Sequence, residues 1–218
     1  MSRPRLLDLF SCAGGAAVGY DRAGFDVTGV ELNPERAHHY PFTVHVADAL
    51  WYLEQHGHEY DAMHASPPCQ ASTALTKGNR ARGGVWEELA NAHVDLIGET
   101  RSALDAIGKP YVIENVQGAD MRRDLTLCGE MFGLSVIRHR YFELGGWSMP
   151  APAHVPHRGR VAGWRHGEWF DGPYFAVYGD GGGKGTIEQW QSAMGIDWLS
   201  ERVLLAEAIP PAYSEVVG

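Results

Sequence analysis

The segment that decides the fold is Arg5-Leu6-Leu7-Asp8-Leu9-Phe10-Ser11-Cys12-Ala13-Gly14-Gly15. Its first six residues are mostly apolar and predict a buried strand, and a helix is predicted to follow through about Ala23. A turn of small residues between a strand and a helix lets a ligand approach the backbone, and the helix N-terminus offers free N–H groups. This arrangement is typical of a nucleotide-type cofactor site, although a tight packing turn would use the same residues.

Strand and helix patterns continue to alternate along the chain, which predicts an α/β fold with a doubly wound, Rossmann-like sheet. Beyond the first strand, the predicted strands cover residues 26–30, 42–46, 60–65, 111–113 and 135–144. The predicted helices cover residues 34–39, 49–56, 86–107, 125–132, 187–194 and 200–208, with one more after Pro211. In such a sheet we expect ligands to bind at the carboxyl ends of the strands.

The composition changes between Gly145 and Gly185, where Gly, Pro, Trp, His and Arg dominate and the periodicity is lost. We therefore expect a core over 1–144, a small loop-rich appendage over 145–185, and C-terminal helices over 186–218 that return to the core. The appendage contains three histidines whose spacing matches no strong metal-binding pattern, so we predict no metal site. These histidines are His154, His157 and His166.

The 218-residue chain carries 18 basic and 27 acidic residues and a formal net charge of −9. This balance argues against non-specific nucleic-acid binding by the whole surface, but it allows a local basic face. Residues 122–165 are rich in arginine and contain few acids, so they form either such a face or an ordinary solvated surface. The arginines are Arg122, Arg123, Arg138, Arg140, Arg158, Arg160 and Arg165.

The three cysteines, Cys12, Cys69 and Cys128, cannot all pair and show no metal-ligand spacing. We therefore expect a reducing compartment and a cytoplasmic location. No apolar run approaches the roughly 20 residues that a membrane span needs, and the N-terminus does not resemble a signal peptide. We expect no membrane partner.

Two carboxylates follow the second and third predicted strands. Glu31 lies about 20 positions after the glycine turn, where a carboxylate can accept hydrogen bonds from both hydroxyl groups of a ribose. Because Pro34 follows closely, Glu31 is equally suited to the start of a helix. Asp48 either lines the same crevice or caps the helix over 49–56.

The fourth strand runs into Ser66-Pro67-Pro68-Cys69-Gln70. The two prolines end the strand because neither can donate to a sheet ladder, and Cys69 therefore lies in a stiff turn. A thiol in that place is a candidate nucleophile, and an ordinary buried cysteine is the alternative. Glu114 follows the strand over 111–113 and should reach the same edge of the sheet, as either a functional or a merely solvated carboxylate.

The order of these motifs resembles that of the cytosine-C5 DNA methyltransferase family. The resemblance rests on the segment from Asp8 to Gly15, then on Glu31, Asp48, Pro67-Pro68-Cys69-Gln70, Glu114-Asn115-Val116 and Arg138-His139-Arg140. It covers residues 5–144 and resumes over 186–218, where Ala206-Glu207-Ala208-Ile209-Pro210-Pro211 is similar to the family's last motif. The short appendage resembles the reduced target-recognition region of bacteriophage methylases, which implies a role in or around restriction-modification.

The resemblance implies transfer of a methyl group to C5 of cytosine. Cys69 would add to C6, Glu114 would hydrogen-bond or protonate N3, and Arg140 with Arg138 would hold O2 and favour the thiolate. The base must leave the duplex to reach such a pocket. The implied partner is therefore DNA, taken as double-stranded, and a monomer is the favoured oligomeric state.

The implied cofactor is S-adenosylmethionine, bound over the glycine turn with its ribose on Glu31. The full set of implied cofactor contacts is Phe10, Ser11, Cys12, Ala13, Gly14, Gly15, Glu31, Leu32, Asp48 and Ala49. A polar loop over 71–84 is implied to close over the site and contact phosphates. The implied nucleic-acid contacts are Gln70, Lys77, Arg80, Arg82, Arg158, Arg160 and Arg165.

Four positions depart from the family pattern: Cys12 and Ala206 replace glycines, Val136 replaces a glutamine, and Glu207 replaces an asparagine next to Ala206. The small appendage predicts a short or relaxed recognition sequence, or help from a partner. Two alternatives stay open, the same chemistry on RNA and a catalytically silent nucleic-acid-binding module. A methyltransferase for exocyclic amines is disfavoured because its Asn/Asp-Pro-Pro-aromatic motif has no place for Cys69.

Overall fold

The computed structural model describes residues 2–68, 95–179 and 185–218. Their main element is a seven-stranded sheet with the order β3-β2-β1-β4-β5-β7-β6. Its strands are β1 (Arg5–Leu9), β2 (Asp26–Glu31), β3 (Thr43–Val46), β4 (Ala62–Ala65), β5 (Tyr111–Val116), β6 (Leu125–Leu127) and β7 (Arg140–Gly145). A separate hairpin consists of β8 (Gly163–Arg165) and β9 (Glu168–Phe170).

The first five strands are parallel, and β7 is inserted antiparallel between β5 and β6. The chain moves outward from β1 to β3 on one side and then returns to place β4 and β5 on the other. The order of strands therefore reverses between β1 and β4, and a ligand crevice is expected at the carboxyl ends of these two strands. This arrangement confirms the predicted α/β Rossmann-like sheet.

The described helices flank the sheet on both faces. They are α1 (Gly15–Ala23), α2 (Pro34–Ala37), α3 (Ala49–His56), α4 (Ile97–Ile107), α5 (Ile187–Met194), α6 (Arg202–Glu207) and α7 (Pro211–Val217). Short 3-10 turns cover Gly57–Glu59 and Gly129–Phe132. No helix within the three described ranges is long and apolar enough to cross a membrane.

Alternating side chains of β1 separate the two core layers, since successive residues of a strand point to opposite faces. Leu6 packs with Tyr20 of α1 and with Ile209 before α7. Leu7 and Leu9 pack on the other face, in a cluster that includes side chains of α3 and α4. This division places α1 and α7 on one face of the sheet and α3 and α4 on the other.

Two predicted elements differ from the structure. The helix predicted over 125–132 is instead β6 followed by a 3-10 turn, because Leu125 and Leu127 are buried on the edge of the sheet and pair with β7. The strand predicted over 135–144 begins only at Arg140, and residues 135–139 have no regular secondary structure. The first half of the helix predicted over 86–107 lies outside the described residues.

Candidate active site

The chain turns sharply after β1. Phe10 (φ 57°) and Cys12 (φ 46°) have left-handed backbone conformations, which are uncommon for residues with a side chain, and Gly14 (φ 86°) adopts one at little cost. The Ser11 N–H donates to the Val30 carbonyl at 3.0 Å. The turn thereby delivers the first N–H groups of α1 to the carboxyl edge of the sheet, where no side chain from the described parts of the chain caps them.

The glycines of this turn also serve packing. A Cβ on Gly14 would lie 2.5 Å from Cδ of Pro41, and a Cβ on Gly15 would lie 2.6 Å from the carbonyl oxygen of Ile209. The two interpretations of the turn, as a ligand site and as a tight packing turn, are therefore compatible. Close packing holds the turn in the shape that exposes its N–H groups.

Glu31 is buried at the end of β2 and fastened to this turn. Its Oε2 accepts from the Cys12 N–H at 2.9 Å, and its Oε1 accepts from the Asn33 N–H at 2.8 Å. Asn33, rather than Glu31, caps α2, since its side chain accepts from the Glu35 N–H at 2.8 Å. Each carboxylate oxygen has a second lone pair, so Glu31 can still accept hydrogen bonds from a ligand.

The residues expected around an adenine ring lie farther along the same edge. Asp48 caps α3, because its Oδ1 accepts from the Trp51 N–H at 2.9 Å. Leu32 is 68% exposed, whereas Ala49 is buried. The structure thus supports the capping role of Asp48 and leaves an exposed apolar side chain beside Glu31.

Asp8 is buried in β1 below the turn. Its Oδ2 accepts from the Tyr40 hydroxyl at 3.1 Å, and its Oδ1 has no hydrogen-bond partner among the described residues. Burial raises the pKa of Asp8 to about 7, against the lowering effect of Tyr40, and the negative charge of Glu31 raises it further. Asp8 therefore titrates near neutral pH.

The proline turn after β4 lies beside β5. The Ser66 N–H donates to the Leu9 carbonyl at 3.2 Å, which continues the ladder between β1 and β4. The Asn115 side chain donates through Nδ2 to the Pro67 carbonyl at 2.9 Å. The turn that leads to Cys69 is thus fixed to both neighbouring strands, although Cys69 itself lies outside the described residues.

Glu114 and Arg140 form a buried ion pair at this edge. Glu114 is on β5 and Arg140 begins β7, and the Arg140 Nε lies 2.9 Å from the Glu114 Oε1. The N–H of Arg140 is not aligned with that oxygen, and Oε1 receives no hydrogen bond from the other described residues. Burial raises the pKa of Glu114, although Arg140, a hydrogen bond from Ser66 and Arg138 oppose the rise. Burial therefore favours the protonated form of the carboxyl group, and its Oε1 keeps hydrogen-bonding capacity that no described residue uses.

A chain of hydrogen bonds that the sequence did not indicate leads to Glu114. The Tyr20 hydroxyl lies 3.0 Å from His64 Nδ1, and His64 Nε2 lies 2.9 Å from the Ser66 hydroxyl. Burial lowers the pKa of His64 to about 3, so its ring is neutral and carries one N–H. Every group is bonded if Tyr20 donates to His64, His64 donates to Ser66, and Ser66 donates to Glu114. Ser66 follows β4 directly and lies two residues after His64, so the alternation of side chains along a strand predicts that both point to the same face. This spacing was the sequence signal for their contact.

Arg138 has a different environment from Arg140. It lies before β7, and its Nη1 and Nη2 donate to the carbonyls of Val177 (3.0 Å) and Ala206 (2.5 Å). Its own carbonyl accepts from the Tyr213 hydroxyl at 2.6 Å. Arg138 therefore links the end of the appendage and the C-terminal segment to the sheet through hydrogen bonds. Its positive charge also lowers the pKa of Glu114, against the effect of burial.

Two departures from the family pattern lie against each other. The Cys12 Sγ is 3.7 Å from Glu207 Oε2, and Arg36 Nη2 is 2.9 Å from Glu207 Oε1. Burial and the charge of Glu207 raise the pKa of Cys12 to about 12, so the group is a neutral thiol at physiological pH. The Trp198 indole donates to the Ala13 carbonyl at 3.0 Å and closes the same side of the turn.

Several arginines of the arginine-rich stretch form ion pairs within the protein. Arg122 lies 3.6 Å from Glu143 and 3.5 Å from Asp124, and Arg158 lies 2.8 Å from Glu130. Arg160 is stacked over the Phe170 ring at 4.6 Å, and Arg165 ends β8. The charges of Arg122 and Arg158 are therefore balanced by carboxylates within the protein. The other expected nucleic-acid contacts, Gln70, Lys77, Arg80 and Arg82, lie outside the described residues.

Comparison with solved structures identifies the fold. The Dnmt2 methyltransferase of S. pombe matches with a TM-score of 0.64 and 14% identity, over 99% of this chain and 97% of that chain. The Entamoeba histolytica methyltransferase EhMeth matches with a TM-score of 0.59 and 10% identity, over 100% of this chain and 97% of that chain. The fold is that of a Rossmann-like methyltransferase.

Sequence comparison gives a partial match. No protein-family model matches the chain. The type II methyltransferase M.XorII of Xanthomonas oryzae pv. oryzae (strain KACC10331 / KXO85) is 29% identical over 132 residues. The match covers 54% of this chain and 29% of the relative, so the chain spans less than a third of the curated relative's length.

Proposed function

We propose that this protein transfers a methyl group from S-adenosylmethionine to C5 of cytosine in double-stranded DNA. The observation that carries the proposal is the buried pair of Glu114 and Arg140 beside the turn that leads to Cys69. A carboxyl group and a guanidinium at that place suit the ring nitrogen and the carbonyl oxygen of one flipped base. The methyltransferase fold and the partial match to a type II methyltransferase support the same chemistry.

The residues at the end of β1 fit S-adenosylmethionine. The uncapped N-terminus of α1 and the turn from Phe10 to Gly15 offer backbone N–H groups. Glu31 is preorganised by two backbone N–H groups and retains lone pairs for the ribose hydroxyls. Leu32 offers an exposed apolar side chain for the adenine ring, with Asp48 and Ala49 beyond it. When bound, S-adenosylmethionine supplies a methyl group on a positively charged sulfur.

The chain's own groups would make cytosine reactive at C5. The Cys69 thiolate adds to C6 while Glu114 gives a proton to N3, which cancels the negative charge that the addition creates. Arg140 holds the base at O2 and stabilises the carboxylate of Glu114 after the proton has left. Once C5 carries the methyl group, the C5 proton would leave to water as the bond between the Cys69 sulfur and C6 breaks, and the N3 proton would return to the Glu114 carboxylate, which restores the ring and both side chains. The raised pKa of Glu114 favours the protonated form that the first step needs.

The hydrogen-bond chain behind Glu114 would act as a positioning device. Tyr20, His64 and Ser66 each donate toward the carboxyl group, which fixes one oxygen and leaves the other for the base. Because Tyr20 and His64 are buried and Ser66 is half-buried, the carboxyl orientation would be set before the substrate arrives. Preorganisation of this kind lowers the cost of aligning a proton donor.

Selection of the target cytosine belongs to the same proposal. The division into a core over 1–144, a reduced recognition region over 145–185 and a C-terminal return over 186–218 leaves few residues to contact base edges. Each good contact contributes about 1–3 kcal/mol of discrimination, so a short or relaxed recognition site is expected, as in bacteriophage methylases. Arg158, Arg160 and Arg165 are the arginines of this region that we assign to DNA.

The test is methyl transfer from labelled S-adenosylmethionine to DNA and, in parallel, to RNA, followed by nucleoside mass spectrometry. We expect 5-methylcytosine in DNA, and we expect Cys69→Ala and Glu114→Gln to lower the rate by at least about 100-fold. Glu168→Gln, at the exposed start of β9, is the matched control and should retain activity. Modification of RNA alone would replace the DNA substrate, and absence of 5-methylcytosine from both polymers would refute the proposal.

A trapping experiment tests the nucleophile. DNA that contains 5-fluorocytosine has no removable proton at C5, so the covalent adduct should persist. We expect an adduct with the unchanged protein and none with Cys69→Ala. An adduct that survives this substitution would show that Cys69 is not the nucleophile.

A further inference from the structure

Four potential metal ligands meet where the appendage contacts the sheet. They are Cys128, after β6, His139, before β7, and His154 and His157, in the irregular stretch over 151–157. One ligand atom from each lies within 4.8 Å of the others. Cys128 is fully buried, His139 and His157 are half-buried, and His154 is exposed. We call this set the Cys-His cluster.

The distances within the Cys-His cluster approach those of a tetrahedral metal shell. The Cys128 Sγ lies 3.5 Å from the His157 Nε2, and the His139 Nε2 lies 3.0 Å from the His154 Nε2. Ligands of tetrahedral zinc bound at its usual bond lengths are separated by roughly 3.6 Å for sulfur and nitrogen and roughly 3.3 Å for two nitrogens. Two pairs of ligand atoms are therefore close to the spacing of a zinc shell, and all four lie within 4.8 Å of one another, so small side-chain movements would bring them around one ion.

The side chains of the Cys-His cluster lie close together even though three of them are imidazoles, which can carry positive charge. Three imidazole rings lie with centroids 5.1 to 5.2 Å apart, and Arg140 is the next residue after His139. Protonated rings would repel one another at these distances. Neutral imidazole is the form that binds metals.

We propose that Cys128, His139, His154 and His157 bind one Zn²⁺ ion. One sulfur and three imidazole nitrogens are the donor types that zinc prefers, whereas magnesium and calcium prefer oxygen. Four protein ligands complete a tetrahedral shell, which is typical of a structural site rather than a catalytic one. The proposal does not rest on methyl transfer, and it replaces the sequence-based expectation that the chain binds no metal.

The ion would attach the appendage to the catalytic core. His154 and His157 lie in an exposed stretch that contains Pro152 and Pro156 and has no strand or helix of its own. Cys128 and His139 flank the ends of β6 and β7. A shared ion links these parts and holds the backbone of His139, whose carbonyl accepts from Arg140 Nη1 at 3.0 Å. Zinc would thus position Arg140 opposite Glu114.

The first measurement is the metal content of the full chain purified from zinc-supplemented medium, by mass spectrometry of the metal. We expect one zinc per chain, and we expect Cys128→Ser and His157→Ala to lose most of it. His166→Ala is the control, because this histidine belongs to the same appendage but lies in the turn between β8 and β9. Retention of zinc by both cluster variants, or equal loss in the control, would overturn the proposal.

A second measurement uses the unchanged protein, so its outcome does not depend on whether a variant folds. Metal-free protein is titrated with Co²⁺, and we expect one equivalent to produce the visible bands of a tetrahedral ion and the near-ultraviolet absorption of a thiolate ligand. Zinc should displace the cobalt and raise the midpoint of thermal unfolding by roughly 5–10 °C. Octahedral cobalt spectra together with an unchanged midpoint would show that the Cys-His cluster is a hydrogen-bonded group without a metal.

Discussion

Replacing Asp8 by asparagine should change how the stability of the protein depends on pH. Asp8 is buried in β1, and burial raises its pKa from 3.8 to about 7. The folded state therefore binds the proton of Asp8 more tightly than the unfolded chain does. Stability contributed by this group falls as pH rises from the unfolded pKa through about 7, and it changes little above that value.

The size of the effect follows from the shift. About three pKa units correspond to roughly 4 kcal/mol of cost for the ionised carboxylate in the folded state. Between about pH 5 and about pH 8 the protein should lose roughly 2.5 kcal/mol of its free energy of unfolding through Asp8. Asparagine preserves an acceptor for the Tyr40 hydroxyl and cannot ionise. The N–H₂ group of the new asparagine has no hydrogen-bond partner, which lowers the free energy of unfolding by about 1–3 kcal/mol at every pH.

Urea unfolding of both proteins across this pH range measures the difference. His64, paired with Asp8 in the β1–β4 register, has a pKa lowered to about 3, so stability also falls as pH drops below about 6.5. That contribution is common to both proteins and cancels when they are compared. Asp26→Asn, on the exposed start of β2, is the control and should leave the pH profile unchanged. A constant difference between Asp8→Asn and the original protein would refute the reasoning.

Two further substitutions test other parts of the fold. Arg101→Met should lower the free energy of unfolding, measured in urea, by about 3 kcal/mol. It removes the guanidinium that donates two hydrogen bonds, at 2.6 and 2.9 Å, to the buried Glu143 carboxylate. Arg22→Met, which removes an exposed pair at 3.8 Å, should cost less than about 0.5 kcal/mol, and equal losses would contradict the assignment. Cys12→Gly should raise stability by about 1 kcal/mol, since a left-handed conformation is costly with a side chain. A lower midpoint of thermal unfolding would show that the Cys12 thiol contributes more than the strain removes.

Local patterns predicted most of the sheet. The short apolar runs before Gly14 and Pro67 gave β1 and β4 within a residue or two, because glycine and proline mark the ends of strands through their own backbone chemistry. The same reasoning mistook 125–132 for a helix. Two apolar residues, Leu125 and Leu127, are too few to show whether the apolar pattern repeats every two residues, as in a strand, or every 3.6 residues, as in a helix. Pairing with β7 makes this segment a strand.

The sequence predicted the positions of some candidate site residues better than those of others. Glu31 and Glu114 reach one edge of the sheet because parallel strands end together, and this followed from the sequence. The partner of Glu114 did not follow in the same way. Arg140 reaches it because β7 enters antiparallel beside β5, with Arg140 opposite Val116. The hydrogen bonds of Arg138 to Val177 and Ala206 depend on where the C-terminal segment returns.

The sequence by itself determined the succession of strands and helices along the chain and the chemical groups at the strand ends, since both are properties of neighbouring residues. Only the tertiary structure decided which of those groups meet. Cys128 and His157 are 29 positions apart, and their atoms lie 3.5 Å apart. No local period encodes such a contact. It arises because strand order and register bring distant segments together, and those are fixed by burial of the whole core.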